Sequence, residues 1–352
     1  ALADIEQIEG SLLVHDNPAL LELPVLPALK QVGGALSISG NVALTDVHGF
    51  PALEHIGGGL YVAENPLLSR LDLGSELASV GSIFVALNPR LVDLVVPPSL
   101  GQIEGDLNIA ENTELAKITS SGLSKIGGDF LLEENSALLT AEFPALTSVA
   151  GALTISDNLA LASMAGFPVL ERVGSLFTIR RNDALKVLSL TTAMEVPFIS
   201  VVENASLARI SGPSLPQSEA RTSVTIQANP DLLTIEGFPG VEGLASLVIE
   251  ENPTLLEISG FRSLIRVGAY DLNIIRNTSL TGPVDWFPAL AEATDVAVFG
   301  NRSLAPELVE SLLDHVDVTG ETRVGDNQGE ETALDPCPWA GDGLCDALSP
   351  TG

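Results

Sequence analysis

An asparagine returns every 22 to 26 residues along almost the whole chain. The series is Asn17, Asn41, Asn65, Asn88, Asn112, Asn135, Asn158, Asn182, Asn204, Asn229, Asn252, Asn277, Asn301 and, in a degenerate setting, Asn327. A period of this length extending over a chain of 352 residues excludes a single globular core. Each unit is too short to enclose its own apolar face, so the units must stack and bury a continuous column between them.

Alignment on the Asn shows what is buried. Three residues before it stand Val14, Ile38, Val62, Val85, Ile109, Leu132, Ile155, Ile179, Val201, Ile226, Ile249, Ile274, Val298 and Val324, of which only Leu132 is not β-branched. Five before it the residue is Leu, Ile, Phe or Val until Thr322 ends the series, and three after it Leu runs from Leu20 to Leu304 before Glu330 breaks the pattern. Apolar residues alternating with variable ones have the period of two of a strand with one buried face. Each unit therefore opens with a short strand.

The remainder of a unit, as in LTDVHGFPALEHIGG, places Leu44, Val47, Phe50, Leu53 and Ile56 at every third position and closes on glycines. That spacing suits an extended coil with tight turns better than a long helix. The expected fold is an all-β repeat, a β-solenoid of about fourteen coils forming a rod roughly 65 Å long at the ordinary interstrand spacing. Stacked Asn side chains, able to donate and accept at once, would form a ladder satisfying backbone groups that the turns leave unpaired.

The pattern L-x-I-x-x-N-x-x-L followed by FPAL-x-x-I-G-G resembles the receptor L-domain type of leucine-rich-repeat relative, as in fungal wall-anchored glycoproteins and bacterial surface proteins. GFPALEHIGGGLYVAENPLL, EFPALTSVAGALTISDNLAL and GFPVLERVGSLFTIRRNDAL carry it best, and it covers about residues 5 to 304. The chain departs from ordinary leucine-rich repeats in having N-x-x-L for N-x-L, and it lacks the cysteine-rich modules that flank receptor L domains. The resemblance implies a surface solenoid used for binding, adhesion or wall architecture, and implies neither a growth-factor ligand nor a catalytic residue.

Acidic residues outnumber basic ones by 46 to 16, which disfavours nucleic acid and anionic membranes as partners. No run of 18 apolar residues provides a membrane span. ALADIEQIEG matches the second half of a coil, so a processed or truncated polypeptide is expected. Three regions follow: repeats over 1–304, a cap over 305–334 and an acidic Cys-containing tail over 335–352. The cap carries LAPELVESLLDHV, with Leu308, Leu312 and Val316 at helical spacing and Pro306 near the start. In the tail, Cys337 and Cys345 read as a local disulfide in an oxidising compartment, with calcium at Asp342 and Asp346 as a separate expectation.

Two rows hold the candidate site residues. Just before the ladder stand Asp16, Glu64, Glu111, Glu134, Asp157, Glu203, Glu251 and Asp326, a solvated acidic edge unless Glu111, Glu134 and Asp157 share calcium. The outward strand position carries Leu13, Tyr61, Phe84 and Leu131 in the N-terminal half, an apolar and partly aromatic surface of the kind that meets partners. His48 and His55 have no third ligand in their unit and read as solvent-facing coil residues. The sequons at Asn204, Asn277 and Asn301 begin on ladder positions, which burial would close to modification. Neither a nucleophile elbow nor a phosphate-cradling glycine loop is present. These features lead to a non-enzymatic extracellular or cell-surface solenoid that binds a protein or glycan along its strand face and needs no cofactor. The alternative is a structural subunit that self-associates end to end into a filament.

Overall fold

The computed structural model describes residues 3–190, 193–215, 221–281 and 286–327. It is a parallel β-solenoid of about 13 turns, the fourteen rungs of the asparagine ladder bounding thirteen full repeats. Each coil lays a strand on one long sheet, turns at the Asn, and contributes shorter segments to the other faces. Consecutive coils pair in strict register: Leu36–Ser39 on Leu60–Ala63, Ile83–Ala86 on Leu107–Ala110, and Phe130–Glu133 on Leu153–Ser156. The largest sheet has 18 strands, and sheets of five, four and four strands close the rest of the wall.

The three-residue spacing has a simple outcome. Leu44, Val47, Leu53 and Ile56 are fully buried and Phe50 is 2% exposed, so every one of these positions points into the column. Extended segments stacked at constant spacing pair their backbones, so Asp46–Val47 becomes a short strand and the strand His55–Ala63 begins at His55, where the sequence suggests only coil. Phe130, Phe143 and Phe167 form one aromatic cluster inside the rod, with Phe143 and Phe167 stacked at 5.3 Å, and Phe238 stacks on Phe261 at 4.6 Å. Each buried Leu, Ile or Phe contributes roughly 1.5–3 kcal/mol.

One helix, Pro306–His315, lies near the C-terminal end and buries Val309 and Leu312 against the column. Pro306 sits in its first turn, where a missing N–H costs nothing. The stack resumes after it: Asp317–Val318 and Thr322–Gly325 both pair with the strand Glu292–Phe299, and Asn327 is buried as the last rung. The helix thus fills part of the last coil. Among the described residues no helix is long and apolar enough to cross a membrane.

Candidate functional site: the outward face of the long sheet

The ladder fixes the geometry of this face. In each interior rung the Asn Oδ1 accepts from the backbone N–H of the preceding Asn, while Nδ2 donates to a strand carbonyl of the preceding coil. At Asn135, Oδ1 accepts from the Asn112 N–H at 3.1 Å, and Nδ2 donates to Ile109 at 2.9 Å and Glu133 at 2.9 Å. From Asn41 to Asn301 every rung is fully buried. Asn204, Asn277 and Asn301 are therefore closed as glycosylation acceptors in the folded chain, whereas Asn17 is exposed.

All fourteen residues preceding the rungs have left-handed backbone. Twelve are not glycine, from Arg181 at φ 48° to Asp157 and Glu203 at φ 58°, and the others are Gly40 and Gly300. By strand alternation the residue before the Asn would point inward. One left-handed residue reverses the parity, turning its own side chain to solvent and the Asn into the column. The conformation costs an L-residue roughly 1–2 kcal/mol, which the buried ladder offsets. Gly40 and Gly300 were the sequence signal for it. The acidic row is acidic because this position faces water.

The row is neutralised unevenly. Arg181, itself a member, makes paired contacts with Asp157, including Nη2 to Oδ2 at 2.7 Å, and reaches Glu203 at 3.3 Å. Arg180 meets the same Glu203 at 2.9 Å, and Arg276 meets Glu251 at 3.0 Å. The arginines hold the Glu203 carboxyl below its usual range, with the Arg180 hydrogen bond the largest cause and burial opposing it, and Asp157 in turn holds the Arg181 guanidinium above its usual value. Asp157 is thus bound by arginine and does not form one site with Glu111 and Glu134. Among the described residues no group of three or more His, Cys, Asp or Glu is placed to hold a metal ion. Glu64, Glu111 and Glu134 are exposed and have no ion pair among the described residues.

The outward row runs unbroken in register, Leu13 to Ser37, Tyr61, Phe84, Asn108, Leu131 and Thr154 in successive coils. Tyr61 and Phe84 are brought together, their ring centroids 6.3 Å apart and tilted at 43°. Leu131 lies two coils beyond Phe84, and Leu13 two coils before Tyr61, so neither touches the ring pair through its strand partner. Tyr61 is 42% exposed and Leu13 60%, while Phe84 and Leu131 are half-buried. The next outward column is small, Ala63, Ala86 and Ala110, which leaves the rings standing above a flat surface. Phe198 and Phe299 also stand on outward positions of this sheet.

A second column of acceptors escaped the reading of the repeat. Six residues before the rung, Ser11, Ser82, Asp106, Asp129 and Asp295 each accept a backbone N–H of the next coil, at 2.6–3.1 Å. These side chains satisfy donors at the corner entering the long sheet. The signal was present as Ser or Asp recurring at that position, interrupted by Ala35, Gly59, Ala152, Leu176 and Phe198.

Farther along the same face burial pushes two carboxyls up. Glu250 is raised by desolvation and then by neighbouring Glu251, and Asp271 by desolvation and then by adjacent Asp295. His48 is half-buried beside Asp46, at 3.1 Å, and His55 is half-buried at the start of the strand His55–Ala63. Two concavities lie elsewhere: about 400 Å³ between Arg172, Glu195, Met194 and Arg221, and about 530 Å³ along Arg70, Asp72, Asp93 and Val95. Cys337, Cys345, Asp342 and Asp346 lie outside the described residues.

Comparison of this chain with known protein families, curated proteins and solved structures gave no match.

Proposed function

We propose that this protein is a non-enzymatic binding rod, extracellular or attached to a cell surface, that recognises a protein or glycan partner along the outward face of its long sheet. One observation carries the reading: an aromatic pair, exposed Tyr61 and half-buried Phe84, stands on a flat, uncharged stretch of a chain whose net charge is −30. Exposed aromatic rings over small neighbours lose little side-chain entropy on binding and bury much area. The repeat pattern N-x-x-L with FPAL-x-x-I-G-G supports kinship with receptor L-domain-like leucine-rich repeats, and with it the surface location.

The test is an array of extracellular proteins and glycans probed with the purified rod. Binding that is lost in a Tyr61→Ser/Phe84→Ser variant but kept when exposed Val95 and Leu256 on other faces are changed to Ser places recognition on this face. Equal loss in both variants removes it.

A structural subunit of an end-to-end filament is the second reading. The observation favouring it is the polarity of the ladder: every rung accepts from the rung before it, and among the described residues nothing donates to the Asn17 Oδ1. Among the described residues the strands Gln7–Ile8 and Leu12–His15 pair only with the following coil, and a strand added there would continue the sheet. Light scattering that grows with protein concentration, with rods many lengths long by electron microscopy, is the expected result of that reading; a monodisperse particle ends it.

A further inference from the structure

On the premise that the outward face is a binding surface, we propose that its N-terminal half takes a basic segment of a partner protein, with Lys or Arg side chains lying over Tyr61 and Phe84, beside Glu64 and toward the carboxylates Asp106, Glu111, Asp129 and Glu134 of the next two coils. The argument begins with an asymmetry along the row that precedes the rungs. In the C-terminal half the chain supplies its own cations, Arg181 to Asp157 and Glu203, and Arg276 to Glu251. In the N-terminal half Glu64, Glu111 and Glu134 are exposed and no residue of the chain pairs with them among those described.

The opposite margin of the same strip is acidic too. Asp106 and Asp129 are exposed, and each accepts a backbone N–H of the next coil with one oxygen. The outward positions of Leu36–Ser39, Leu60–Ala63, Ile83–Ala86 and Leu107–Ala110 carry no charge, and the first carboxylate beyond them is Glu133 on the strand Phe130–Glu133. The strip therefore presents two aromatic rings and a floor of alanines, with Glu64 at one margin of the ring coils and carboxylates at both margins of the two coils beyond them, and Glu64, Glu111 and Glu134 have no ion pair among the described residues.

That arrangement selects the sign of its occupant. An anionic ligand is repelled by these carboxylates, and a neutral one gains nothing from them. A Lys or Arg head gains from the ring faces and from carboxylates within a Debye length on either side, while its aliphatic stem covers the alanine floor. Charge complementarity of this kind also speeds encounter and makes it salt-dependent.

The experiment measures anisotropy of a fluorescein-labelled ten-residue peptide alternating Lys and Leu, its Glu–Leu counterpart and labelled cellohexaose, at low and at moderate salt. The proteins are the parent, Tyr61→Ser/Phe84→Ser, Glu64→Gln/Glu111→Gln/Glu134→Gln, and a control that neutralises exposed carboxylates away from the strip, Glu76→Gln/Asp93→Asn/Glu171→Gln. The Lys peptide is expected to bind best, to weaken about tenfold in each strip variant and to stay within about twofold of the parent in the control. Tyr61→Leu/Phe84→Leu keeps apolar bulk without a ring face and is expected to weaken binding too, which separates recognition from folding. Equal weakening in the control overturns the inference as general attraction to a polyanion, and so does peptide binding indifferent to both strip variants. Ring-dependent binding of cellohexaose in place of the peptide overturns the basic occupant and leaves recognition by the strand face standing.

Discussion

An interior ladder residue serves more than one neighbour. Replacing Asn135 with Ala removes the acceptor for the Asn112 N–H and the donor to the Ile109 and Glu133 carbonyls, all inside the rod. The Glu133 carbonyl keeps the Glu111 N–H at 3.1 Å, so two groups are stranded at about 1–3 kcal/mol each, and Asn135→Ala is expected to lose at least about 2 kcal/mol in urea unfolding, while Asn17→Ala at the exposed first rung loses much less. The left-handed position before the rung has the opposite sign: Ala228 holds φ 53°, and Ala228→Gly is expected to leave stability unchanged or raise it by up to about 1 kcal/mol. Gly40→Ala is expected to lower it by about the same amount, and chemical denaturation of the two variants checks both signs. The ladder itself was legible because a buried polar side chain with a fixed job admits no substitute. Its left-handed neighbour was not, since twelve of fourteen residues there are ordinary L-residues held by the fold against their own preference.

At the scale of the element, the front strand was readable from two β-branched or apolar positions per coil, and the helix Pro306–His315 from Leu308, Leu312 and its opening proline. The short strands on the other faces were not, because Asp46–Val47 or Arg70–Leu71 offers only one buried residue. Their strand character comes from the neighbouring coil. Of the candidate site, Tyr61 and Phe84 were visible as outward residues, but the arginines that neutralise Asp157, Glu203 and Glu251 could be placed only once the row was known to face solvent. The neighbouring strands Ser246–Glu250, Arg266–Ile275 and Glu292–Phe299 carry the consequence for pH. Folding raises the affinity of Glu250 for its proton, so this group favours the folded state below the ordinary carboxylate range and loses that contribution as pH rises through its elevated value. Glu250→Gln is therefore expected to be more stable than the parent at pH 7, with the gap closing by pH 4 in thermal melts. Glu203 acts in reverse, its contribution present at neutral pH and lost as pH falls through its lowered value.

For the whole molecule the governing fact is translation: each coil meets only the one before and the one after, in register, through the same ladder contacts. Stability is then a sum over coils and their interfaces, and the chain should tolerate loss of one entire period while failing on loss of part of one. Deleting residues 113–135 joins Asn112 directly to Ser136, the residue that follows the next rung, so strand parity, the left-handed turn and the ladder all remain in phase. Asn112 then accepts from Asn88 as before and donates to Asn158. Deleting residues 113–124 instead removes half a coil, and Gly127, Asn135 and Glu142 then take the positions of Leu115, Leu123 and Phe130, which are fully buried in the parent. The whole-coil variant is expected to keep the far-UV circular dichroism of the parent and to unfold cooperatively, with an m-value lower by about one part in thirteen because m follows the surface exposed on unfolding. The half-coil variant is expected to aggregate or to show no cooperative transition. Equal behaviour of the two deletions would mean that register between coils does not hold the rod together.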